Sequence, residues 1–454
     1  MMGIAGVSTS PDGNLDSRRS WRWEIWLYFV LFAIPLVGFI HRLVINILID
    51  PVSMEFGLSD TQASLLQGPP FAIVYGLMVI PMGFLADRGN RVALLSSGAV
   101  LWSLGTLACG LAPTFTTLFV ARMVVGLGEA ALLPAAVSLI GDSFAENRRG
   151  LAMGIFFTGV NAGFSSAYAV GGIALDLAEA GVFQWVPIVA DMSPWRQVFL
   201  LLSLPGFLLP LFLFTIKEPE RHKAIQNERF RQSIKRLFSS QPLTTILFLL
   251  VLQATVLAVA DNGIYAWLPR LLTRLYHLSS TEVGLVLGVI VATAGTISGP
   301  LAGKMSDYFI QRRGVAGPLL VIIVAVSTAT LVAPMFAMRS VLLVYVATAI
   351  WVTAIVAASA TTFTFVSVAV PNRLRGISAS LITSAMALIG LGAGPTTIAV
   401  TLERFAFARD RVDVAIVVSA MPLCCVALVL VMWIWRKARH LPAPAGPEVE
   451  GTMK

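Results

Sequence analysis

The chain has 454 residues, of which 57% are hydrophobic and 12% are charged, and its formal net charge is +8. Since a soluble globular domain carries about 25% charged residues, this composition excludes an ordinary soluble protein. Apolar runs of about 20 residues, each long enough to cross a hydrocarbon core about 30 Å thick, recur along the sequence and predict an integral, multi-pass membrane protein.

The apolar runs form two groups of six, which predicts an all-α membrane protein with twelve transmembrane helices in two six-helix bundles. A polar cytoplasmic tail, 1–24, precedes the first bundle, 25–216. A basic cytoplasmic linker, 217–242, leads to the second bundle, 243–435, and a cytoplasmic, Pro-rich tail, 436–454, follows it. In chain order the predicted spans cover about 25–49, 62–86, 93–112, 115–140, 149–174, 196–216, 243–269, 282–306, 316–337, 341–369, 376–400 and 412–435.

Basic residues set the predicted orientation of the chain. Most of the 32 Lys and Arg residues lie in the N-terminal segment, in the loops from even-numbered to odd-numbered spans, and in the C-terminal segment. Cytoplasmic loops of polytopic proteins carry such an excess, so both termini are predicted to be cytoplasmic, in the inner membrane if the protein is bacterial. The same distribution accounts for the positive net charge, and no nucleic-acid partner is expected.

The linker contains a basic amphipathic stretch, 230–238, with the sequence FRQSIKRLF. Such a stretch is typical of a short helix that lies on the membrane surface. We expect it to tether the two bundles and to carry no chemistry of its own.

Several short motifs occur twice. The hairpin 83–91 (GFLADRGNR) has a weaker copy at 303–307 (GKMSD), 220 residues later. The segment 58–62 matches 278–282 at the same offset, and 147–150 resembles 372–376. Six spans separate the copies, an even number, so the two halves have the same orientation. A parallel repeat of six spans predicts two bundles related by a pseudo-two-fold axis along the membrane normal.

The pattern Gly83-x-Leu85-Ala86-Asp87-Arg88-x-x-Arg91 resembles the signature cytoplasmic loop of the major facilitator superfamily. Three further stretches resemble its spinster-like branch: 56–62 (FGLSDTQ), 121–130 (ARMVVGLGEA) and 392–395 (GAGP). The resemblance implies the major facilitator fold and a transporter in which one six-helix bundle rocks against the other around a central site.

The hairpin is a candidate conformational gate. The family resemblance implies that Gly83, Asp87, Arg88 and Arg91 latch the halves in the outward-facing state and let go when the inside opens. Asp87 can accept from helix N-terminal N–H groups or pair with an arginine of a neighbouring span. A tight turn with positive topology anchors is the alternative. The second copy keeps Asp307 but has polar residues at two nearby positions where the family has small and apolar ones.

Four charged residues, Arg42, Arg122, Glu129 and Asp261, are predicted to line a central cavity inside the membrane. An intramembrane charge normally faces a cavity or a partner. Arg42 lies about seven residues, roughly 10 Å, below the outer end of its span, and Arg122 and Asp261 come out at similar depths. Glu129 follows Arg122 by seven residues, which places it on the same helical face two turns deeper.

These four charges have two interpretations. In the first, structural ion pairs lock spans 1, 4 and 7 together. In the second, Glu129 is a protonation site, since a buried carboxylate that exchanges its arginine partner between conformations can bind and release a proton. The second interpretation predicts proton coupling through Glu129.

His41 is a departure from the family pattern. The spinster-like resemblance implies an Asp immediately before Arg42, whereas this chain has a histidine, whose charge changes near neutral pH. Asp261 lies 220 residues after His41, so the two are repeat mates. Either His41 performs a proton step in the cavity, or coupling differs from that of the relatives, or the ring only snorkels toward the outer interface.

Further cavity candidates lie within the spans: Asn46, Asn161, Ser165, Tyr168, Asn262, Tyr265, Trp267, Thr361, Thr362 and Thr364. Such residues also serve ordinary helix–helix packing, and we expect fewer than half of them to contact substrate. Span 5 contains Gly159-x-x-x-Gly163 with no Pro after it, so it lacks the Gly-Pro motif of the drug/proton antiporter subgroup. Drug efflux is therefore disfavoured.

The predicted function is secondary active transport of a small molecule by a monomer, by alternating access and coupled to protons. Two cavity arginines favour an anionic or zwitterionic ligand with an apolar body. The spinster-like resemblance implies amphiphilic lipids such as lysophospholipids or sphingoid phosphates, or else small organic anions and sugars. A facilitative uniporter, a channel or a transport-dead receptor of the same fold is the alternative.

The sequence disfavours an intramembrane enzyme. Its four histidines are widely separated, and it has no H-E-x-x-H motif, nucleophile elbow or phosphate-cradling loop. Cys109, Cys424 and Cys425 lie in apolar runs at spacings that match neither a disulfide framework nor a metal site. No metal or cofactor is predicted, and the expected partners are the substrate, the lipid bilayer and protons.

Overall fold

The computed structural model describes residues 12–187, 189–219, 243–370, 372–405 and 411–439. Within these ranges every regular element is a helix, which confirms the all-α prediction. Ten helical stretches there are long and apolar enough to cross a membrane, in agreement with a multi-pass membrane protein. The predicted amphipathic stretch 230–238 and the chain beyond residue 439 lie outside the described residues.

The helices form two halves that follow each other along the chain. The N-terminal half comprises α1 (Asp12–Leu43), α2 (Ile45–Phe56), α3 (Asp60–Gln67), α4 (Pro69–Arg88), α5 (Arg91–Leu111), α6 (Phe115–Glu129), α7 (Leu132–Ser143), α8 (Glu146–Glu179) and α9 (Pro194–Leu213). The C-terminal half comprises α10 (Leu243–Tyr276), α11 (Ser280–Arg313), α12 (Gly317–Val332), α13 (Val341–Ala369), α14 (Asn372–Ala385), α15 (Gly392–Arg404) and α16 (Val412–Ala438).

Short elements of other helical types connect some of these helices. Two 3-10 helices, Gly314–Ala316 and Ala333–Ala337, flank α12, and a π-helix, Met386–Leu391, joins α14 to α15. Helix α1 already begins at Asp12, so helical structure extends into the segment that was expected to be a polar tail.

Four predicted spans are interrupted rather than continuous: span 1 between α1 and α2, span 2 between α3 and α4, span 4 between α6 and α7, and span 11 at the π-helix. A proline lacks the N–H that would bond to the carbonyl four residues earlier, and its ring clashes with that carbonyl. The interruptions in spans 2, 4 and 11 lie at or beside the carbonyl four residues before Pro70, Pro134 and Pro395. Prolines therefore account for three of the four breaks.

The two halves contact each other along α8 with α11, and along α3 and α4 with α15 and the π-helix. A Cβ at Gly172 would overlap the carbonyl oxygen of Ser280, and one at Gly68 would overlap that of Leu391. Small residues permit such close backbone approach between membrane helices. These contacts lie toward the end of the molecule that carries the α2–α3 and α10–α11 loops, which we call the predicted outer end. The opposite end is the predicted inner end.

Candidate functional site

A cavity of about 300 Å³ lies between the two halves. Apolar side chains of α7, α8, α13 and the π-helix form much of its wall. Six larger polar or charged side chains line the cavity. The N-terminal half supplies three of them, from α1, α4 and α6: Arg42, Tyr75 and Glu129. Helix α10 supplies the other three: Gln253, Asp261 and Asn262. Three of the four predicted intramembrane charges thus face one space.

Arg42 supplies the positive charge of the cavity from the last turn of α1. Its guanidinium carbon lies 4.4 Å from the centroid of the Phe71 ring, 5.3 Å from that of Phe39 and 5.6 Å from that of Tyr75. Arginine is attracted to aromatic faces at such distances. Its Nε has no hydrogen-bond partner among the described residues, so donor capacity remains for a ligand.

Arg122 has a different role from Arg42. Its side chain is buried, and it donates hydrogen bonds to three backbone carbonyls: Arg42 O at 2.8 Å, Leu66 O at 3.3 Å and His41 O at 3.4 Å. Helix ends leave such carbonyls without intrahelical partners, and arginine side chains can satisfy them. Arg122 therefore caps the interrupted ends of spans 1 and 2. It was expected to face the cavity carboxylates and instead lines only a small neighbouring void.

Glu129 lies at the C-terminal end of α6, immediately before the break in span 4. Its side chain is 1% exposed, and its Oε1 has no hydrogen-bond partner among the described residues. Neither Arg42 nor Arg122 forms an ion pair with it in the part of the chain that the structure describes. The ion pairs of the structural interpretation are thus absent from this conformation, and the carboxyl group borders the cavity without a fixed partner.

Asp261 carries the second carboxylate of the cavity, on α10. Its Oδ1 accepts a hydrogen bond of 3.0 Å from Nε1 of Trp351, a buried residue of α13. Beside it, Nδ2 of Asn262 donates to the carbonyl of Ala258 within the same helix at 2.8 Å. The indole fixes one oxygen of Asp261 in place, while the residue still borders the cavity.

His41 and Asn161 are among the predicted cavity residues that point elsewhere. His41 is 1% exposed, and its Nε2 lies 2.6 Å from the carbonyl oxygen of Leu202 on α9. Its ring packs beside Gly206, where an added Cβ would lie 2.6 Å from the His41 Cε1. It therefore neither lines the cavity nor reaches the outer interface, because the turn of α1 that aims Arg42 inward aims its neighbour at α9. Asn161 donates to Thr296 Oγ1 at 3.0 Å, joining α8 to α11.

Other predicted cavity residues form a layer between the cavity and the predicted outer end. Nε2 of Gln67 bonds to Asn46 Oδ1 at 3.3 Å and to the Ala266 carbonyl at 2.9 Å. The hydroxyl of Tyr168 donates to the Tyr265 carbonyl at 3.0 Å. A void of about 10 Å³ remains in this layer, which is roughly the space of one water molecule. The layer joins the two halves above the cavity.

Four charged residues join the halves at the predicted outer end. Nε of Arg270 lies 2.8 Å from Asp50 Oδ1, and its Nη1 donates to Asp60 Oδ1 at 3.0 Å. Arg274 pairs with the same two carboxylates, at 2.9 Å and 3.4 Å. Both arginines belong to α10, and both carboxylates belong to the N-terminal half. We call these four residues the outer ion cluster. The sequence analysis did not predict this cluster, although its members flank equivalent loops of the repeat.

Two further carboxylates cross between the halves at this end. The backbone N–H of Thr61 donates to Glu403 Oε1 at 2.8 Å, and its hydroxyl donates to Oε2 at 2.6 Å. The backbone N–H of Thr281 donates to Asp176 Oδ2 at 2.9 Å. The two threonines are repeat mates in the first turns of α3 and α11, where a capping box is present. Each half thus binds a carboxylate of the other at a helix N-terminus, a favourable place for negative charge.

In the hairpin 83–91, Gly83, Asp87, Arg88 and Arg91 make no such crossing contact with the described residues of the other half. Asp87 and Arg88 are exposed, and no described atom lies within 4 Å of a Cβ placed at Gly83. Arg91 is buried, but its partners are Asp142, the carboxylate of Glu218 at 2.6 Å and the Pro219 carbonyl at 2.8 Å, all in the N-terminal half.

In the repeat copy of the hairpin, Gly303 and Asp307 resemble Gly83 and Asp87. Asp307 is exposed, as is Asp87, and a Cβ placed at Gly303 would have no described atom within 4 Å. The hydrogen bonds and ion pairs between the halves described above therefore lie at the cavity and above it, and none of them involves Asp87 or Asp307.

Two of the larger polar residues of the cavity, Tyr75 and Gln253, were missed from the sequence. Tyr75 lies in an apolar run without a charge to mark it. Gln253 is an amide inside the apolar run of span 7, and a polar side chain at that depth is the signal that would have identified it.

This chain is similar to known proteins in sequence and in fold. The sequence model of the Major Facilitator Superfamily matches residues 27–395. Protein spinster of Drosophila melanogaster is 24% identical over 326 residues, which are 68% of this chain and 50% of that protein. The sphingosine-1-phosphate transporter SPNS2 of Xenopus tropicalis is 24% identical over 323 residues, which are 68% of this chain and 59% of that protein. The aligned region thus spans little more than half the length of these relatives.

Among solved structures, the fold is similar to that of a bacterial homolog to the human lysosomal transporter Spinster, in an inward-facing and unoccupied conformation. The TM-score is 0.76 and the sequence identity 27%, over 92% of this chain and 97% of that chain.

Proposed function

Because this chain belongs to the major facilitator superfamily and is spinster-like, we propose that it is a secondary active transporter that moves an anionic amphiphile by alternating access, coupled to protons. It belongs to a family of transporters and is not an enzyme. The observation that carries the proposal is the cavity at Arg42. That cavity lies between the two halves, beneath a complete set of contacts at the predicted outer end.

Two features support twelve spans in two six-helix bundles. The apolar stretch Ser280–Ala337 contains two separate long helices, α11 and α12. Helix α8, with 34 residues, packs along both α1 and α11 and is long enough to be a further span. An even number of spans, with basic residues near both ends of the chain, supports cytoplasmic termini and an inner-membrane location.

Alternating access is supported by the unequal contacts at the two ends. The outer ion cluster and the two carboxylate–helix contacts join the halves, while Asp87 and Arg88 are exposed and form no ion pair with the described residues of the other half. This is the pattern expected of an inward-facing conformation. In the outward-facing state, the outer contacts separate and the latch of Gly83, Asp87, Arg88, Arg91 and Asp307 engages the facing half.

The substrate class follows from the chemistry of the cavity. Arg42 offers a guanidinium framed by three aromatic rings, and the remaining wall is mostly apolar. A guanidinium binds phosphate and carboxylate groups through paired donors, and an apolar wall accommodates a hydrocarbon body. The Arg122 guanidinium already donates hydrogen bonds to three backbone carbonyls. Arg42 is therefore the cation that is available to bind the substrate. A relative named as a sphingosine-1-phosphate transporter is consistent with this class.

Glu129 is the proposed proton carrier, and Asp261 is the second carboxylate of the same cavity. Both border the cavity, and neither forms an ion pair with a cavity arginine in the described residues. Protonation of Glu129 would remove a negative charge beside Arg42 and leave that arginine free to attract an anion. His41 faces α9, so we assign it no part in coupling.

A vesicle assay tests the proposal, with decyl phosphate as the probe. Vesicles that hold the purified protein and are preloaded with unlabelled decyl phosphate should take up labelled decyl phosphate faster than empty ones. Only a carrier shows this trans-stimulation, so its absence would leave the channel or receptor alternative.

Proton coupling is tested in the same vesicles with an imposed pH gradient. Glu129→Gln should make uptake insensitive to the gradient, because the substituted side chain cannot titrate. Glu55→Gln, at the predicted outer end where Glu55 pairs with Arg196, is the matched control, and both it and His41→Gln should keep the response. A gradient response that survives in Glu129→Gln would refute coupling through this residue.

A further inference from the structure

Gln253 is a polar side chain of the cavity that has no partner. It lies on α10, lines the cavity and is 0% exposed. Neither its Nε2 nor its Oε1 has a hydrogen-bond partner among the described residues. Other buried glutamines of the chain differ: Gln67 donates to the Ala266 carbonyl at 2.9 Å and Gln197 to the Met192 carbonyl at 2.8 Å.

An unpaired amide inside a folded protein requires an explanation. A buried polar group without a partner is unfavourable, and native structures contain few of them. A Gln at this position destabilises the empty cavity relative to a Leu or Met of similar size. The arrangement is accounted for if a ligand supplies the missing partner, since a substrate group that donates and accepts would satisfy both amide atoms.

The position of Gln253 relative to Arg42 sets the shape of such a ligand. Asn262 lines the cavity and also the small void that Arg42 lines, which places it at the level of the guanidinium. Gln253 precedes Asn262 by nine residues, which is roughly 14 Å along the axis of α10 toward the predicted inner end. The wall between these levels includes Leu257 and Ala258, which are apolar.

We propose that the cavity has two poles, with Gln253 as the second, and that its substrate carries an uncharged hydrogen-bonding group at the opposite end of an apolar body from its anionic group. The anionic group binds at Arg42, and a hydroxyl or amide of the substrate bonds to the Gln253 side chain. This inference rests on the proposed function, because it takes Arg42 as the site of the anion.

The test compares the affinities of two probes, decyl phosphate and ω-hydroxydecyl phosphate, measured by thermal shift of the purified protein in a nonionic detergent. The wild-type protein should prefer the hydroxylated probe. Gln253→Leu should lower that preference by about tenfold, which corresponds to about 1.4 kcal/mol. Dividing the wild-type preference by that of the variant cancels the different partitioning of the two probes into detergent.

Gln197→Leu is the matched control, since it removes a buried glutamine that lies outside the cavity. Its preference should equal that of the wild-type protein. Gln253→Met provides a second variant of similar size should Gln253→Leu fold poorly. The wild-type protein alone gives a further check: hexyl phosphate and ω-hydroxyhexyl phosphate should bind equally after correction for partitioning, because the shorter chain cannot reach Gln253 from Arg42.

The outcomes separate this inference from the proposed function. If the wild-type protein binds decyl phosphate but the Gln253 variants keep its preference for the hydroxyl, the second pole is refuted and the anion site stands. An equal preference for the hydroxyl in the hexyl pair would refute the spacing. If the protein binds neither decyl probe, both the two-pole cavity and the anionic amphiphile class are refuted.

Discussion

Replacing Arg270 with Gln should shift the protein toward a conformation that is open at the predicted outer end. The Arg270 side chain is 1% exposed and contacts Asp50 at 2.8 Å and Asp60 at 3.0 Å. Its Nη2 also donates to Ser53 Oγ at 2.6 Å. All three partners belong to the N-terminal half, so the substitution removes contacts that exist only while the outer end is closed.

The size of the shift follows from the burial of these partners. Removing one member of a fully buried ion pair costs about 3–5 kcal/mol. Here the carboxylates of Asp50 and Asp60 are 18% and 27% exposed, and Arg274 still contacts both of them. We therefore expect a loss of about 2 kcal/mol, which is roughly a 30-fold change in the ratio of closed to open outer ends.

Distances between spin labels report this ratio directly. Met54 on α2 and Leu342 on α13 are 82% and 66% exposed at the predicted outer end, on opposite halves, and can be labelled as cysteines in a background without the native cysteines. Arg270→Gln should add or enlarge a population with a longer distance. Arg196→Gln is the matched control, because Arg196 pairs at 2.8 Å with Glu55 of its own half. Identical distance distributions in the two variants would refute a gating role for the outer ion cluster.

Two further predictions concern Arg122 and the helix N-termini. Arg122→Met should lower the free energy of unfolding in SDS by about 3 kcal/mol, because it leaves three carbonyls without donors. Arg42→Met should instead abolish decyl phosphate binding with little effect on the free energy of unfolding. Equal destabilisation by both substitutions would contradict the capping role of Arg122. Glu403→Gln and Asp176→Asn should each weaken closure of the outer end by about 1 kcal/mol, because the two carboxylates bind equivalent helix N-termini of the repeat. Clearly unequal effects on the Met54–Leu342 distance would show that the two contacts are not equivalent.

The broken helices explain how the cavity acquires its chemistry. Arg42 lies at the end of α1 and Glu129 at the end of α6, and the π-helix contributes to the opposite wall. Transporter sites are typically built from discontinuous helices, whose free backbone groups are tolerated where they are satisfied by protein or line a cavity. In this chain Arg122 satisfies the free carbonyls of spans 1 and 2, so Arg42 keeps its donors for the cavity.

The sequence by itself determined the membrane class, the repeat and the depth of the charged residues. Hydrophobic run length follows from bilayer thickness, and helical rise converts residue number into depth. These relations placed Arg42, Glu129 and Asp261 at one cavity, where the structure has them. The capping boxes at residues 59 and 279 are likewise local, because each requires only side chains three residues apart.

Only the tertiary structure decided which way each side chain faces and what it meets there. Arg122 contacts the backbone of Arg42, as their similar predicted depths allow, yet the breaks in two neighbouring spans turn it into a cap. His41 is adjacent to Arg42 in sequence, but one step along a helix rotates a side chain by about 100°, which directs it to α9. The outer ion cluster depends on partners more than two hundred residues apart, and their meeting reflects the packing of two whole halves, which spacing within one span does not specify.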